Sequence, residues 1–383
     1  MQSAYTRHCM AVQTIVGQKI VKIAPKNIQS RVNVGILGAT GMVGQQLIRM
    51  LKEHPWFSLQ KLGASPISSG KNYAEAVAGR WWMDFAIPET LREKMVENGE
   101  DVPHFATGLD LLFSAINLPK NEVMDLEDQY AKRGLFVISC NSGFRDHPLI
   151  PMIIPYVNKD HLDILPLQRS QMGYQKGGII VKSNCSIQSF VIALEPLKKF
   201  GIKEIRIHSE QAISGAGKTF ANWPEAAENI IPLISGEEEK SREEPLKLWG
   251  KVTDTGIKRA STPSIKAKCV RVGVANGHTA YVQVKFAKKN VKIQEILTLW
   301  QAFNPCPHLP SSAKQVIHYL SDPDRPQPRL DVMRDNGMGV TIGQLKEEGD
   351  NWFSFTALSH NAILGAAGGA LLAAELAAWQ KII

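Results

Sequence analysis

Two residues that are far apart in the sequence, Cys185 and His278, have the chemistry of a nucleophile and its acid/base partner. Cys185 lies between an apolar run, IIVK, and a run with helical spacing that Gly201 ends, so we expect it at a helix N-terminus. The helix dipole there is expected to lower the pKa of the thiol. His278 follows a glycine turn, and a histidine suits protonation of a leaving group. The pair predicts covalent catalysis on an acyl carbon, whereas the alternative is a cysteine packed inertly in a turn.

Three glycines, Gly38, Gly41 and Gly44, form the pattern GxxGxxG between an alternating apolar segment and a run with helical spacing. The backbone N–H groups and the dipole of such a helix start favour a pyrophosphate. This strand–turn–helix context predicts a dinucleotide cofactor, the alternative being close packing alone. The turn residues expected to contact the cofactor are Gly38, Ala39, Thr40, Gly41, Met42 and Val43.

The segment LGASPISSGKNY contains no carboxylate where an NAD-specific fold places an acid for the ribose hydroxyl. Ser65, Ser68, Ser69 and Lys71 instead offer hydroxyl and ammonium donors to a 2′-phosphate. The segment therefore predicts NADP, although a polar loop with one lysine also occurs without such a role. A nicotinamide cofactor beside a cysteine nucleophile predicts hydride exchange between an aldehyde and an acyl derivative.

The elements that must position these residues change in character near Cys185. Before it, strand candidates at 59–64, 111–115 and 135–139 alternate with helical runs, which predicts a parallel sheet covered by helices. After it, EIRIHSEQAIS, KCVRVGV and TAYVQVKF alternate as in a mixed or antiparallel sheet. The predicted fold class is α/β, with a Rossmann-type dinucleotide-binding domain and an α+β catalytic and dimerisation domain.

The expected boundaries follow from this change. Residues 1–30 are an acid-poor, basic N-terminal extension that we expect to be poorly ordered, with a targeting segment as the alternative. Residues 31–182 form the cofactor domain, which a small-residue helix at 358–383 completes. Residues 183–357 form the catalytic and dimerisation domain.

The composition is that of a soluble globular protein of 383 residues with a net charge of +8. The basic residues are scattered among few aromatics, which argues against nucleic acid and favours anionic small molecules. No uncharged apolar run reaches membrane-spanning length. Five cysteines without paired spacing argue against disulfides and a zinc site, and predict a reducing, cytoplasmic compartment with no metal.

Six motifs, in one order and spacing, resemble the aspartate-β-semialdehyde dehydrogenase family, in particular its archaeal and fungal-like branch. The match runs from about residue 32 to the C-terminus and comprises GATGMVG, SNCS, QAISGAG, CVRVGVANGHT, DRPQPRLD with GMGV, and SHNAILGAAGGA. The chain departs from the usual pattern at Ile187, where the family has threonine, and at Leu364, where it has a basic residue.

The resemblance implies a role for each site residue. Cys185 is the nucleophile, His278 the acid/base and Gln211 an orienting residue for the thioester. Arg271 binds the substrate α-carboxylate and Glu244 its amino group. The phosphate contacts implied are Asn141, Arg145 and Lys247, and the nicotinamide contacts implied are Ser214, Gly215, Ala216, Gly217 and Asn361. Without the resemblance, Glu244 and Lys247 indicate only a solvated pair on a charged helix.

The function implied is NADPH-dependent conversion of L-aspartyl-4-phosphate to L-aspartate 4-semialdehyde and phosphate, on the route to lysine, threonine and methionine. A homodimer or homotetramer is implied as well. Cys185 and His278 would equally serve another acyl reductase on this scaffold, such as a malonyl-CoA reductase or N-acetylglutamyl-phosphate reductase. The further alternative is a catalytically silent NADP-binding homologue.

Overall fold

The structure is a computed structural model that describes residues 31–383. The N-terminal extension predicted at 1–30 lies outside the described residues. Two seven-stranded sheets, joined through the helix that follows Cys185, organise the described part of the chain.

The first sheet is parallel throughout, with the strand order β3-β2-β1-β4-β5-β7-β6. The order reverses between β1 and β4, which is the switch point at which open α/β sheets bind ligands. Its strands are β1 (Val32–Leu37), β2 (Phe57–Ala64), β3 (Val96–Asn98), β4 (Leu111–Ser114), β5 (Phe136–Ser139), β6 (Met152–Ile153) and β7 (Gly178–Lys182).

Helices cover this sheet because its central strands are buried on both faces. They are α1 (Met42–Leu51), α2 (Tyr73–Ala76), α3 (Glu89–Arg92), α4 (Val102–Phe105), α5 (Lys120–Lys132) and α6 (Leu165–Met172). Helix α1 can start close to β1 because Gly44 has no Cβ, which would lie 2.2 Å from the Gly38 carbonyl oxygen. Gly38 itself has φ +78° at the turn between them.

The second sheet is mixed, with the order β14-β15-β16-β13-β8-β12-β9 and parallel pairs only at β14/β15 and β12/β8. Its strands are β8 (Ile202–Gln211), β9 (Ile230–Ile231), β12 (Ser264–Val272), β13 (His278–Phe286), β14 (Ile317–Leu320), β15 (Val340–Gly349) and β16 (Trp352–Ser359). A separate hairpin pairs β10 (Lys251–Thr253) with β11 (Gly256–Lys258). The helices of this half are α7 (Gln188–Leu194), α8 (Glu237–Leu248), α9 (Ile293–Ala302) and α10 (Pro328–Asp331).

The predicted fold class is confirmed, since a parallel sheet with covering helices precedes a mixed sheet. The segments predicted as strands before and after Cys185 all contain strands, and the charged run after Gly236 forms α8. Strands β14, β15 and β16 and helix α9 were not predicted from the sequence. Ile187 and Leu364, the two departures from the family pattern, are both buried.

The last helix, α11 (Gly368–Trp379), returns to the first sheet and packs against β5, β7 and α1. Its Glu375 is fully buried and accepts hydrogen bonds from the Ser311 amide, and it pairs with His54 Nε2 at 2.8 Å. Because Glu375 is the one charged residue of α11 and the rest of the helix has no polar face, the helix is buried almost throughout. The C-terminal end of the chain therefore forms part of the core beside the first sheet.

Within residues 31–383, no helix has the length and apolar character needed to cross a membrane. The same residues contain no cluster of histidine, cysteine and acidic side chains that could hold a metal ion. The four cysteines among them are unpaired.

Candidate active site

A cavity of about 800 Å³, hereafter the catalytic cavity, opens where the edges of the two sheets meet. Its size is in the range of pockets that hold small molecules and cofactors. The predicted site residues that line it are Thr40, Gly41, Met42, Val43, Asn141, Arg145, Cys185, Gln211, Ser214, Gly215, Ala216, Gly217, Arg271 and Asn361. Residues predicted from distant parts of the sequence are thus brought together.

Cys185 begins a 3₁₀ turn, Cys185–Ile187, that leads directly into α7. The turn follows β7 at the carboxyl edge of the first sheet. The Asn184 side chain caps the turn by accepting a hydrogen bond from the Ser186 amide. The predicted position of Cys185 at a helix start is confirmed.

His278 is the first residue of β13, and its Nε2 lies 3.4 Å from Cys185 Sγ. Its Nδ1 accepts a hydrogen bond from the Ala212 backbone N–H at 3.0 Å. Because Nδ1 is an acceptor, the proton of the neutral imidazole is on Nε2, which faces the sulfur. Burial, with a smaller contribution from Arg271, lowers the pKa of His278 to about 3 and keeps the ring neutral near pH 7. His278 is therefore placed to donate a hydrogen bond or a proton toward Cys185.

The surroundings of Cys185 raise the pKa of its thiol, because burial disfavours the thiolate. The nearby cations Lys182, Arg145 and Arg271 act in the opposite direction, while Glu237 adds to the increase. The expectation that the helix start would lower this pKa is therefore wrong, since desolvation outweighs it. The thiolate depends on the Nε2–H donor and the three cations for its stabilisation.

A group of charged and polar side chains from the second sheet and α8 also lines the catalytic cavity. Arg271 is paired in register with Gln211 and donates from Nη1 to the Ala212 carbonyl at 2.8 Å. Gln211 Nε2 donates to Glu237 Oε2 at 3.2 Å, and Lys240 Nζ donates to Glu237 Oε1 at 2.8 Å. A guanidinium fork and a carboxylate in one cavity complement the carboxylate and ammonium groups of an α-amino acid.

Glu244 and Lys247 do not line this cavity. Glu244 is buried, accepts a hydrogen bond from Arg145 Nη1 at 3.0 Å, and accepts one from the Asn184 amide at 2.5 Å. Lys247 is also buried, and its Nζ donates to three backbone carbonyls within 145–150 at 2.6 to 2.8 Å. Their assignment as substrate contacts is therefore corrected: both hold the loop that carries Arg145.

The spacing of α8 explains this error. The pattern E-x-x-K occurs twice, at Glu237 with Lys240 and seven residues later at Glu244 with Lys247. Seven residues are nearly two helical turns, so both pairs lie on one face, about 10 Å apart along the axis. Only the first pair reaches the catalytic cavity.

Asn141 and Arg145, the other predicted phosphate contacts, follow β5 and line the cavity. Asn141 Nδ2 donates to Glu127 Oε1 at 2.9 Å and to Ser114 Oγ at 3.0 Å. Arg145 Nε donates to the Lys182 carbonyl at 3.0 Å. These bonds fix the direction of both side chains, as a site for a planar or tetrahedral anion requires.

The glycine turn lies at the other end of the cavity. Gly41 is the N-cap of α1, and no side chain among the described residues caps this helix. The first-turn N–H groups are thus free for an anion. Gly38 and Ala39 are used internally, since both amides donate to the Gly63 carbonyl. Asn361 accepts from the Gly277 amide and donates to Ser214 Oγ, which fixes the loop expected to contact the nicotinamide.

The loop predicted to bind a 2′-phosphate, residues 65–71, lies outside the catalytic cavity, unlike the glycine turn. Ser65, Ser69 and Lys71 do not line the catalytic cavity, while Ser68 is buried and accepts a hydrogen bond from Arg80 Nη2 at 2.9 Å. Arg80 does line the cavity. The structure thus places Arg80 beside this loop, a residue that no sequence motif indicated.

Four residues at the site escaped sequence reasoning: Lys182, Glu237, Lys240 and Arg80. Lys182 is three residues before the nucleophile, and burial lowers its pKa to about 8. The repeated E-x-x-K pattern was the available signal for Glu237 and Lys240. Arg80 lies twelve residues beyond Ser68, and no motif joins them.

Gly215 provides a test of how tightly the site is packed. A Cβ at this position would lie 2.8 Å from Arg271 Nη1 and 2.9 Å from His278 Nε2. An added methyl group would have to push Arg271 or His278 out of position. We expect Gly215→Ala to lower kcat/KM by about 10- to 100-fold, because small displacements misalign reacting groups. The melting temperature should change little, since Gly215 is in an exposed loop. Wild-type kinetics in this variant would contradict the geometry.

The fold and this site define a class: a two-domain, dinucleotide-binding oxidoreductase with a cysteine nucleophile. Residues 33–165 match the family described as semialdehyde dehydrogenase, NAD binding domain, and residues 194–364 match semialdehyde dehydrogenase, dimerisation domain. Two curated relatives named aspartate-semialdehyde dehydrogenase cover most of the chain. The one from Archaeoglobus fulgidus is 40% identical over 92% of this chain and all of its own length, and the one from Aspergillus fumigatus is 36% identical over 90% and 96%.

A solved structure agrees with these relatives. Aspartate semialdehyde dehydrogenase with NADP from Candida albicans superposes with a TM-score of 0.82, at 36% identity, over 92% of this chain and all of that one. The chain belongs to the aspartate-semialdehyde dehydrogenase family.

Proposed function

We propose that this protein reduces L-aspartyl-4-phosphate to L-aspartate 4-semialdehyde with NADPH, with release of phosphate. The observation that carries the proposal is the 3.4 Å contact of Cys185 Sγ with His278 Nε2. Cys185, Arg271 and Glu237 line the catalytic cavity, and the buried His278 lies behind the sulfur. Family membership supports the same reaction.

In the proposed reaction, Arg271 binds the α-carboxylate of the substrate and Glu237 its ammonium group. Arg145, Asn141 and Lys240 surround the phosphoryl group. The Cys185 thiolate attacks the carbonyl carbon, phosphate leaves, and a thioester to Cys185 remains. The cations beside the sulfur stabilise the thiolate before attack, and the departing phosphate carries its negative charge away.

NADPH, when bound, supplies the hydride that reduces this thioester. The residues fit the cofactor, because the uncapped start of α1 faces the catalytic cavity and the Ser214 loop borders the same space. Arg80, held by Ser68, is the proposed contact for the 2′-phosphate. After reduction, the His278 Nε2–H donates a hydrogen bond to the thiohemiacetal oxyanion. The oxyanion then collapses to the aldehyde as the C–S bond breaks, and the sulfur leaves as the thiolate that begins the next cycle.

The assignment of the substrate ammonium to Glu237 can be tested against Glu244 as a matched control. We expect Glu237→Gln to raise KM for aspartate semialdehyde about 10- to 100-fold, since a charge-assisted hydrogen bond contributes about 1.5–3 kcal/mol. Glu244→Gln should instead lower the free energy of unfolding by about 3 kcal/mol, because it breaks a buried ion pair with Arg145. Steady-state kinetics and urea unfolding measure the two effects. A raised KM in Glu244→Gln, with a destabilised Glu237→Gln, would show that Glu244 is the substrate contact.

The experiment that tests the function is phosphate-dependent reduction of NADP by aspartate semialdehyde. Activity that requires phosphate supports an acyl phosphate product. Activity with malonyl-CoA and none with aspartate semialdehyde would show that the proposed substrate is wrong, while Cys185 would remain the proposed nucleophile. Inactivity with every acyl donor, together with NADP binding, would indicate the silent homologue.

We also propose that the protein is a cytoplasmic homodimer or homotetramer. Support for assembly comes from the match of residues 194–364 to a dimerisation domain family. The unpaired cysteines support a reducing compartment. The proposed domain division is 31–182 with 358–383, and 183–357. The first sheet lies within 31–182, and the second lies within 183–357 except for the last two residues of β16, Leu358 and Ser359.

A further inference from the structure

A second cavity of about 360 Å³ runs along the outer face of α1, and we name it the α1 cavity. Met42, Gln46 and Arg49 form its helix side at spacings of four and three residues, which is one helical face. It extends away from Cys185, which is not among its lining residues, and it borders the catalytic cavity through five residues that line both: Met42, Trp82, Ser214, Lys218 and Ala362. None of the roles assigned above to cofactor or substrate uses Gln46 or Arg49.

Two polar groups at the α1 cavity, the Gln46 side-chain amide and His360 Nε2, make no hydrogen bond to another residue within 31–383. Gln46 is 5% exposed and His360 is 7% exposed. His360 Nδ1 accepts from the amides of Ala362 and Ile363, so the proton of its neutral ring is on Nε2. Burial lowers the pKa of His360 to about 4, so the ring is neutral near pH 7. The Gln46 amide and the His360 Nε2–H can therefore both donate to a ligand in the α1 cavity.

The charges around the cavity favour an anion. Arg49 lies over the Phe85 ring, 5.8 Å from its centre, and neither Arg49 nor Lys218 forms an ion pair with another described residue. Asp84 is the one carboxylate on the lining, and His360 is neutral. Two cations against one carboxylate leave a net positive charge.

The rest of the lining is apolar. The lining includes Trp82 and Ile363, together with the exposed side chains of Phe220 and Met333. Such a surface accepts an apolar or aromatic body, while a few converging polar groups fix its orientation.

We propose that the α1 cavity is a second binding site, which takes a small molecule with a carboxylate on an apolar body. Arg49 binds the carboxylate as a bidentate fork, and Gln46 Nε2 and His360 Nε2 donate to it. The site borders the catalytic cavity but contains neither Cys185 nor His278, so its ligand takes no part in the reaction proposed above.

The test uses 4-fluorobenzoate as the probe, observed by ¹⁹F NMR with the full chain. Saturating NADP and inorganic phosphate are present throughout, so that the catalytic cavity is filled. Wild-type protein is expected to bind the probe saturably and to bind the neutral isostere 4-fluorobenzamide at least tenfold more weakly. Equal binding of both probes, or no binding of 4-fluorobenzoate, would overturn the proposal.

Variants then locate the site. Arg49→Met should raise the Kd at least tenfold and Gln46→Leu several-fold, while both keep the wild-type kcat. Arg133→Met, which removes an exposed arginine after α5, is the control for net charge and should leave the Kd unchanged. If Arg49→Met binds like the wild type, or Arg133→Met weakens binding equally, the probe is bound elsewhere and the proposal fails. Cooperative urea unfolding of each variant shows that a loss of binding is not a loss of folding.

Discussion

Cys185→Ala is expected to lower the rate of phosphate-dependent NADP reduction on the order of 10⁴- to 10⁶-fold, with aspartate semialdehyde as substrate. The reason is that the thioester cannot form, so hydride transfer has no acyl carbon attached to the protein. Binding of NADP should persist, because the glycine turn and the Ser214 loop do not depend on the thiol. Steady-state rates and NADP titration followed by fluorescence measure the two effects separately.

Cys140→Ala provides a matched control for this result. Cys140 lines the same cavity but makes no hydrogen bond to His278, and burial raises the pKa of its thiol to about 11. We expect its replacement to change kcat/KM only a few-fold. Substantial activity in Cys185→Ala, or comparable losses in both variants, would reject the thioester mechanism. Mass spectrometry of the wild type mixed with acyl phosphate and no cofactor should show the acyl group on Cys185 alone.

His278→Ala is the second large effect, with an expected loss of about 10²- to 10⁴-fold in kcat. The variant removes the Nε2–H that faces the sulfur. His278→Gln can present an amide donor near the same position and should recover part of the rate, which a purely structural role would not allow. Equal activity of the alanine and glutamine variants would argue against a donor role.

The pH dependence separates this role from that of an ordinary histidine base. Because burial lowers the pKa of His278 to about 3, its protonation should produce no limb near pH 6.5 in kcat/KM. Because burial raises the pKa of the Cys185 thiol, kcat/KM should rise with pH from 6 to 9 as the thiolate fraction increases. A limb near 6.5 that disappears in His278→Gln would show that the ring is protonated in the working protein.

Much of this site could be predicted from the sequence, because the periodicity of the neighbouring segments places the glycine turn and Cys185 between a strand and a helix. The glycine turn needs a strand before it and a helix after it, and both patterns are visible in the chain. Cys185 lies between an apolar run and a helical run, so its place at a helix start follows from periodicity. Cys185 was paired with His278 because a thiol nucleophile needs an acid/base partner, and the two side chains lie 3.4 Å apart in the structure.

The pKa of Cys185 and the choice of α8 residues could not be predicted in this way. Burial of the thiol results from chain segments that are remote in sequence, including Gly365, where an added Cβ would lie 2.9 Å from the Cys185 Cβ. Which end of α8 meets the cavity depends on how the helix packs, and residues seven apart share one face. The resemblance pointed to residues on that face, whereas the tertiary contacts determine that Glu237 and not Glu244 reaches the cavity.

The packing of α11 on the first sheet has a consequence for how the chain folds as it leaves the ribosome. Domains generally fold in order from the N-terminus during synthesis. Here β5 and β7 keep apolar surface uncovered until α11 has been made, after the whole second sheet. At ordinary elongation rates this interval is roughly 10 to 40 s. Nascent chains would expose this surface throughout that time, which makes them natural clients for chaperones that bind apolar segments.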